Sequence, residues 1–207
     1  MAYEDYEVNE ENEDEEDYDV DEDEEDYDVD EDDEDYDVDD EDEDDEDEDE
    51  DDDDNGDFDI DYKKYEQKCD EIRGRNEAYL DEFSNDLLDS GLKEKTVNSH
   101  WLNVNFYINS YLLREEPLEM VHGTHFYKIS DFLGNFFIRK CMWSTPGTIK
   151  STAASIKKFY KSMLKFGYID KSDYEELVQT IKENMDSWME DCRVYNDPNS
   201  DNPFYFF

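Results

Sequence analysis

STPGTIKSTAASIKKFYKSMLKFGYI, residues 144–169, reads as one helix with both ends marked. Thr145 before Pro146 is an N-cap followed by proline at the first helical position, where a missing N–H is harmless and a fixed φ suits the turn. Gly167 supplies the stop, because glycine adopts the left-handed conformation that ends a helix. Advancing about 100° per residue, Ile149, Ile156, Phe159, Tyr160, Met163 and Leu164 gather on one side. Lys150, Lys157, Lys158, Lys161 and Lys165 fall in an arc of about 100° on the other. One face is core and one is cation.

The flanking sequence continues in helical periodicity, and strand alternation is absent. Upstream, Phe132, Leu133, Phe136, Phe137 and Ile138 belong to a third helix from about Ser130 to Cys141. Lys95 to Arg114 forms a second helix, with Val97, Trp101, Val104, Ile108 and Tyr111 on one face and Leu102, Phe106 and Leu113 opposite. A helix apolar on two sides belongs at the centre of its domain. Pro117 closes it, and a loop containing Gly123 leads on. The first helix covers residues 63–90, with Leu80, Phe83, Leu87 and Leu88 as its core stripe and Gly91 as its stop. Downstream, Ser172 with Glu175 is a capping-box signature that opens a fifth helix, whose stripe is Val178, Ile181, Met185, Trp188 and Cys192. Pro198 and Pro203 then mark a loose end over residues 196–207, although Phe204-Tyr205-Phe206-Phe207 is apolar enough to pack back. The fold expected for residues 62–195 is an all-α bundle of four to five helices.

The 207-residue chain carries a formal net charge of −48, but the charge is unevenly placed. Residues 1–61 hold 44 of the 67 acids and none of the 19 bases, which leaves 23 acids and 19 bases behind them. A segment so rich in carboxylates cannot bury enough apolar surface to offset chain entropy, so a disordered acidic low-complexity tail is expected there. Inside it Tyr18-Asp19-Val20, Tyr27-Asp28-Val29 and Tyr36-Asp37-Val38 recur at a period of nine, with Tyr6-Glu7-Val8 and Phe58-Asp59-Ile60 as looser copies. Two readings stand. The tail is a solubilising, self-repelling arm, or its carboxylates and rings imitate a nucleic-acid strand and compete for a basic, stacking-capable surface. Divalent-cation binding and docking to a basic protein partner are further options.

Other classes lack support in the sequence. No stretch has the roughly 18 apolar residues of a membrane span, and the first residues lack the pattern of a secretory signal, so no membrane partner and a cytoplasmic location are expected. Cys69, Cys141 and Cys192 are widely spaced and form no CxxC, which points to reduced structural thiols. His122 and His125 have a spacing that invites a metal, but Gly123 between them and the absence of a third ligand favour a loop or helix start. No Gly-rich nucleotide motif and no nucleophile elbow occurs, so no metal and no cofactor is implied.

The feature that carries function is a local charge anomaly. Between Asp131 and Asp170 lie 38 residues without an acid, holding Arg139, Lys140, Lys150, Lys157, Lys158, Lys161 and Lys165. Thr145, Thr148 and Ser151 add hydroxyls at a helix N-terminus, where unpaired N–H groups and the positive end of the dipole suit phosphate.

FSNDLLDSGLKEKTVNSHWLNVNFYINSYL (83–112), DFLGNFFIRKCMW (131–143) and residues 144–169 resemble, in order and signals, the SAM-like core-binding domain of tyrosine recombinases and phage integrases. The resemblance covers about residues 77–169 and implies an integrase-type helical bundle with two helices laid against DNA. It implicates Lys95, Thr96, Ser99 and His100 at the start of the second helix, and Thr148, Lys150, Ser151, Ser155 and Lys158 in the fourth. Thr96 and Ser99 also suit plain helix capping, and His100 a boundary position beside Trp101.

The chain departs from that family in its chemistry. The 38 residues after Ile169 contain no histidine and one arginine, Arg193, so Tyr174, Tyr195 and Tyr205 lack the cationic clamp a phosphoryl transition state requires. The sequence therefore points to a non-catalytic DNA-binding protein of integration or recombination context, not an enzyme, contacting duplex phosphates with the tail masking or tuning the surface. A separate recombinase is the implied catalytic partner. The alternative is an interaction adaptor that docks through the fifth helix while its tail holds a basic protein; exposure of Trp188, Met189 and the terminal aromatics Phe204 to Phe207 would favour it.

Overall fold

The computed structural model describes residues 56–200 and 204, with side chains from Tyr62 onward. Residues 1–55 of the expected acidic tail lie outside the described residues, as does most of residues 201–207, whereas residues 56–61, also expected to be disordered, open the first helix. All regular structure in the described residues is helical: α1 (Gly56–Asp89), α2 (Glu94–Asn105), α3 (Phe126–Asp131), α4 (Phe137–Lys140), α5 (Pro146–Lys165) and α6 (Lys171–Asn196). A π-helical segment, Phe106–Tyr111, extends α2; another, Phe132–Phe136, joins α3 to α4; a 3₁₀ turn spans Met120–Thr124. The expected all-α class is thus observed, with the expected fourth and fifth helices appearing as α5 and α6.

Helix ends follow the local chemistry. Gly91 has φ +93° and Gly167 φ +79°. At each, two N–H groups fold back on the last turn: Gly91 N to Leu88 O (2.9 Å) with Leu92 N to Leu87 O (3.2 Å), and Gly167 N to Leu164 O (3.0 Å) with Tyr168 N to Met163 O (2.9 Å). These are paired Schellman bonds, and the left-handed residue they need is glycine in both cases. α5 begins as expected, with Thr145 as N-cap and Pro146 at the first position. α6 does not. It starts at Lys171 with Asp170 as N-cap, so the Ser172–Glu175 box lies inside the helix and caps nothing. Ile169 is buried there, and the chain re-enters a helix immediately after it.

The central helix is α5, not the expected second helix. It packs against α1, α2 and α6 and buries Ile149, Ala153, Ile156, Phe159, Tyr160 and Met163. The second helix is buried on two sides as expected, but it does not keep one period to residue 114. In the π-helical segments hydrogen bonds run from i to i+5, as in Leu112 N to Tyr107 O at 3.0 Å. Residues five apart, separated by about 140° on an α-helix, therefore come nearly into line. Tyr107 and Leu112, Phe132 and Phe137, and Leu133 and Ile138 are all buried pairs of this kind. Leu113, assigned to the face opposite Ile108, is buried in a second, smaller cluster with Cys69 and Ile72 of α1, apart from the cluster that holds Ile108, whereas Leu102 is 53% exposed. In α1, Leu80, Phe83 and Leu87 are buried as expected, but Leu88 is exposed.

The two π-helical segments meet in an aromatic cluster. The Phe132 ring lies 4.6 Å from Tyr107 and 4.8 Å from Tyr111, and the Arg114 guanidinium covers Phe136 at 4.6 Å. Tyr107 and Tyr160 donate to the Gly123 and Met120 carbonyls, both at 2.6 Å, which ties the 3₁₀ turn to the core. α6 is docked by Trp188, whose indole sits over Gly134; a Cβ there would meet it at 2.5 Å.

Gly134→Ala and Gly123→Ala should each lower the unfolding free energy by about 1–3 kcal/mol, because the new methyl displaces Trp188 or the Tyr160 hydroxyl. Gly74 lies in α1 with nothing within 4 Å of a Cβ, so Gly74→Ala should raise stability by about 0.5–1 kcal/mol. Urea unfolding of the three variants separates close approach from helix propensity.

Candidate nucleic-acid interface

The acid-free run occupies α4, the connection to α5, and α5 itself. Arg139, Lys140, Lys150, Lys161 and Lys165 are exposed, while Lys157 and Lys158 are half-buried. Burial, with the Lys158 charge adding to it, holds the Lys157 ammonium below its ordinary pKa. The cation strip therefore survives folding, but not as five equivalent lysines.

Its two ends differ. At the C-terminal end, Lys165 forms an ion pair with Asp86 of α1, which also accepts from the Ser162 hydroxyl. Burial pushes the Asp86 carboxyl up, but the hydrogen bonds from Lys165 and Ser162 outweigh it and hold the group below its ordinary value. Tyr168 donates to Glu82 of α1 at 3.1 Å. At the N-terminal end, Arg139 donates to Asn135 at 3.1 Å and lies over the Phe204 ring at 5.5 Å. Acids of α1 thus close one end of the strip.

The hydroxyls expected to meet phosphate are engaged locally. Thr145 and Thr148 form a reciprocal capping box: Thr148 N donates to Thr145 Oγ1 at 3.1 Å and Thr145 N to Thr148 Oγ1 at 2.8 Å. Ser151 donates to the Thr148 carbonyl at 3.1 Å. Ser155 is fully buried, so direct phosphate contact by its hydroxyl is not available in this structure. It donates to Ser151 O at 2.9 Å and accepts from Asn103 Nδ2 at 3.0 Å, with His100 Nδ1 at 2.8 Å. Ser155 and His100, taken separately from two helices as contact residues, are thus partners of each other in the α2–α5 seam. Burial first, and the Lys158 charge second, hold the His100 imidazole below its ordinary pKa.

Lys95 and Thr96 are exposed in the first turn of α2. That helix is N-capped at Lys93 without a side-chain bond, so Thr96 is not its cap. Ser99 is half-buried and donates to the Lys95 carbonyl at 3.2 Å.

Sequence reasoning passed over Met142 and Trp143. Ser144 N donates to Cys141 O at 3.0 Å, which makes Cys141–Ser144 a β-turn with Met142 and Trp143 at its two corners. The base of the turn is fixed: Cys141 and Ser144 are buried, Ser144 donates to Ile138 O at 3.1 Å, and Asn196 of α6 donates to Ser144 O at 2.7 Å. The tip is open, with Met142 99% and Trp143 59% exposed. The available signal was their position, two adjacent large apolar residues between a helix-ending Arg-Lys pair and an N-cap.

Elsewhere, His122 lies in the 3₁₀ turn and His125 caps α3, and both are exposed with their rings 6.3 Å apart. Among the described residues no group of three or more His, Cys, Asp or Glu could hold a metal, and no helix is long and apolar enough to cross a membrane. The three cysteines are buried and unpaired; burial pushes the Cys141 thiol up to about 11.

Ser155→Ala should cost about 1–3 kcal/mol, since it leaves the Asn103 amide and His100 imidazole without their shared partner. The lowered His100 pKa means that the unfolded chain takes up a proton at higher pH than the folded one. Its contribution is complete above the unfolded value, about 6.5, and is lost as pH falls below it. The urea midpoint should accordingly drop between pH 7 and pH 5, and drop less in His100→Gln. Comparison with known proteins finds no matching family model, no matching curated protein and no matching solved structure.

Proposed function

We propose that this chain is a non-catalytic DNA-binding protein whose contact surface is the cation strip of α4 and α5, centred on Arg139, Lys140, Lys150 and Lys161. The observation that carries the reading is the exposure of these four cations within a 38-residue run that holds no acid, in a chain of net charge −48. Phosphates are recognised by such a strip without base readout, and the binding is driven by counterion release. Lys165 contributes less, because Asp86 already neutralises it. Ser155 and His100 act indirectly, by fixing α2 against α5.

The acidic residues 1–61 tune this affinity through charge, opposing the approach of phosphate. A separate catalytic partner, of the recombinase kind suggested by the sequence resemblance, supplies any strand cleavage. The burial of Trp188 and partial burial of Met189 count against the fifth helix as an apolar docking face for another protein.

The test is fluorescence anisotropy of the full chain on labelled duplex DNA over a range of salt. With about four phosphates neutralised, log affinity should fall against log salt with a slope of roughly −3.5. Lys150→Gln with Lys161→Gln should reduce the slope by about 2 and weaken binding alike for unrelated sequences. Association that is absent or insensitive to salt overturns the reading. Shortening the acidic segment should tighten binding; equal affinity removes its tuning role alone.

A further inference from the structure

The Cys141–Ser144 turn is built against the usual rule for its position. Corners of β-turns favour Gly, Pro, Asn, Asp and Ser, which either suit the backbone or are solvated. Here the corners carry Met142 and Trp143, the two most exposed of the large apolar side chains described. Nothing about the turn is slack, since Cys141 and Ser144 are buried and Ser144 is bonded to both α4 and α6. The Trp143 ring leans edge-on against Phe106, 6.0 Å between centroids, which restricts its orientation while leaving more than half of it open. Exposed Arg139 and Lys140 immediately precede the tip, and exposed Lys150 follows. Asp197, adjacent in sequence to the Asn196 anchor, has its carboxylate engaged by the Asn199 N–H and the Ser200 hydroxyl.

A fixed apolar tip flanked in the chain by exposed cations fits a polyanion that also offers flat apolar faces. We infer that Met142 and Trp143 form a wedge that contacts DNA bases, Trp143 by stacking and Met142 by insertion beside it, so that the surface prefers single-stranded or unpaired DNA to intact duplex. Paired bases are already stacked on each other and must be parted before a wedge can reach them, whereas unpaired bases present their faces at once. Arg139, Lys140 and Lys150 hold the flanking phosphates. The inference rests on the DNA-binding reading above and adds to it the state of the DNA.

The full chain is titrated against a labelled single strand, its fully paired duplex, and the same duplex with a central unpaired bubble, at several salt concentrations. The single strand and the bubble should bind about tenfold tighter than the duplex. The double variant Met142→Ser/Trp143→Ser, altered only at exposed positions, should lose that preference with its salt slope unchanged. Single-stranded DNA should quench tryptophan emission in the parent chain and not in Trp143→Phe. Lys150→Gln should instead weaken all three DNAs together. Equal affinity for the three DNAs, or a preference retained in the double variant, overturns the wedge and leaves the DNA-binding reading standing. Absence of salt-dependent binding to any of them overturns both. Self-association of the full chain that the double variant abolishes would assign the tip to a second copy of this chain and overturn the wedge as well.

Discussion

The rest of the structure depends on the burial of α5 on three sides. A helix enclosed by α1, α2 and α6 has room for only a narrow wet strip, and every cation it carries must fit that strip or pay in desolvation. Lys157 and Lys158 sit at its margin, where burial already disfavours the Lys157 charge. The enclosing helices make contact through small side chains: Ser155 toward α2 and Ser162 toward α1 let backbones approach while satisfying polar groups at the seam. Position, charge and packing of the proposed surface are therefore one problem, set by how closely α5 is held.

The electrostatics of that surface come from elements distant in sequence. Asp86 reaches Lys165 across 79 residues, and Glu82 receives the Tyr168 hydroxyl across 86. Both acids project from α1, so the strip is paired at the end of α5 by residues far away in sequence.

Much of the fold was legible because its ends are written in local chemistry. Thr145-Pro146, Gly91 and Gly167 act within a few residues, and each does in the structure what its side chain or lack of one requires. The interiors of the second and third helices were less legible, since a π-helical segment has no composition of its own and resets the face that every later residue presents. In the candidate site, Lys150 and Lys161 could be placed by helical phase alone, whereas the burial of Ser155 depends on His100 and Asn103 from another helix. The charge run told nothing of Asp86, because an acid-free interval in sequence is not an acid-free neighbourhood in space. Met142 and Trp143 were overlooked because a short link between helices carries no period to read.

The fit between Gly134 and Trp188 has a consequence for how this sequence can drift. The indole fills the space a side chain at 134 would need, so the volume at that contact is divided all to one partner and none to the other. Neither position changes alone without cost: a methyl at 134 crowds the ring at 188, and a smaller ring at 188 leaves a void that a glycine cannot fill. Gly123 opposite Tyr160 obeys the same exclusion. In descendants of this chain the two glycines should be retained or exchanged together with their aromatic counterparts, so that each small residue records the large one facing it.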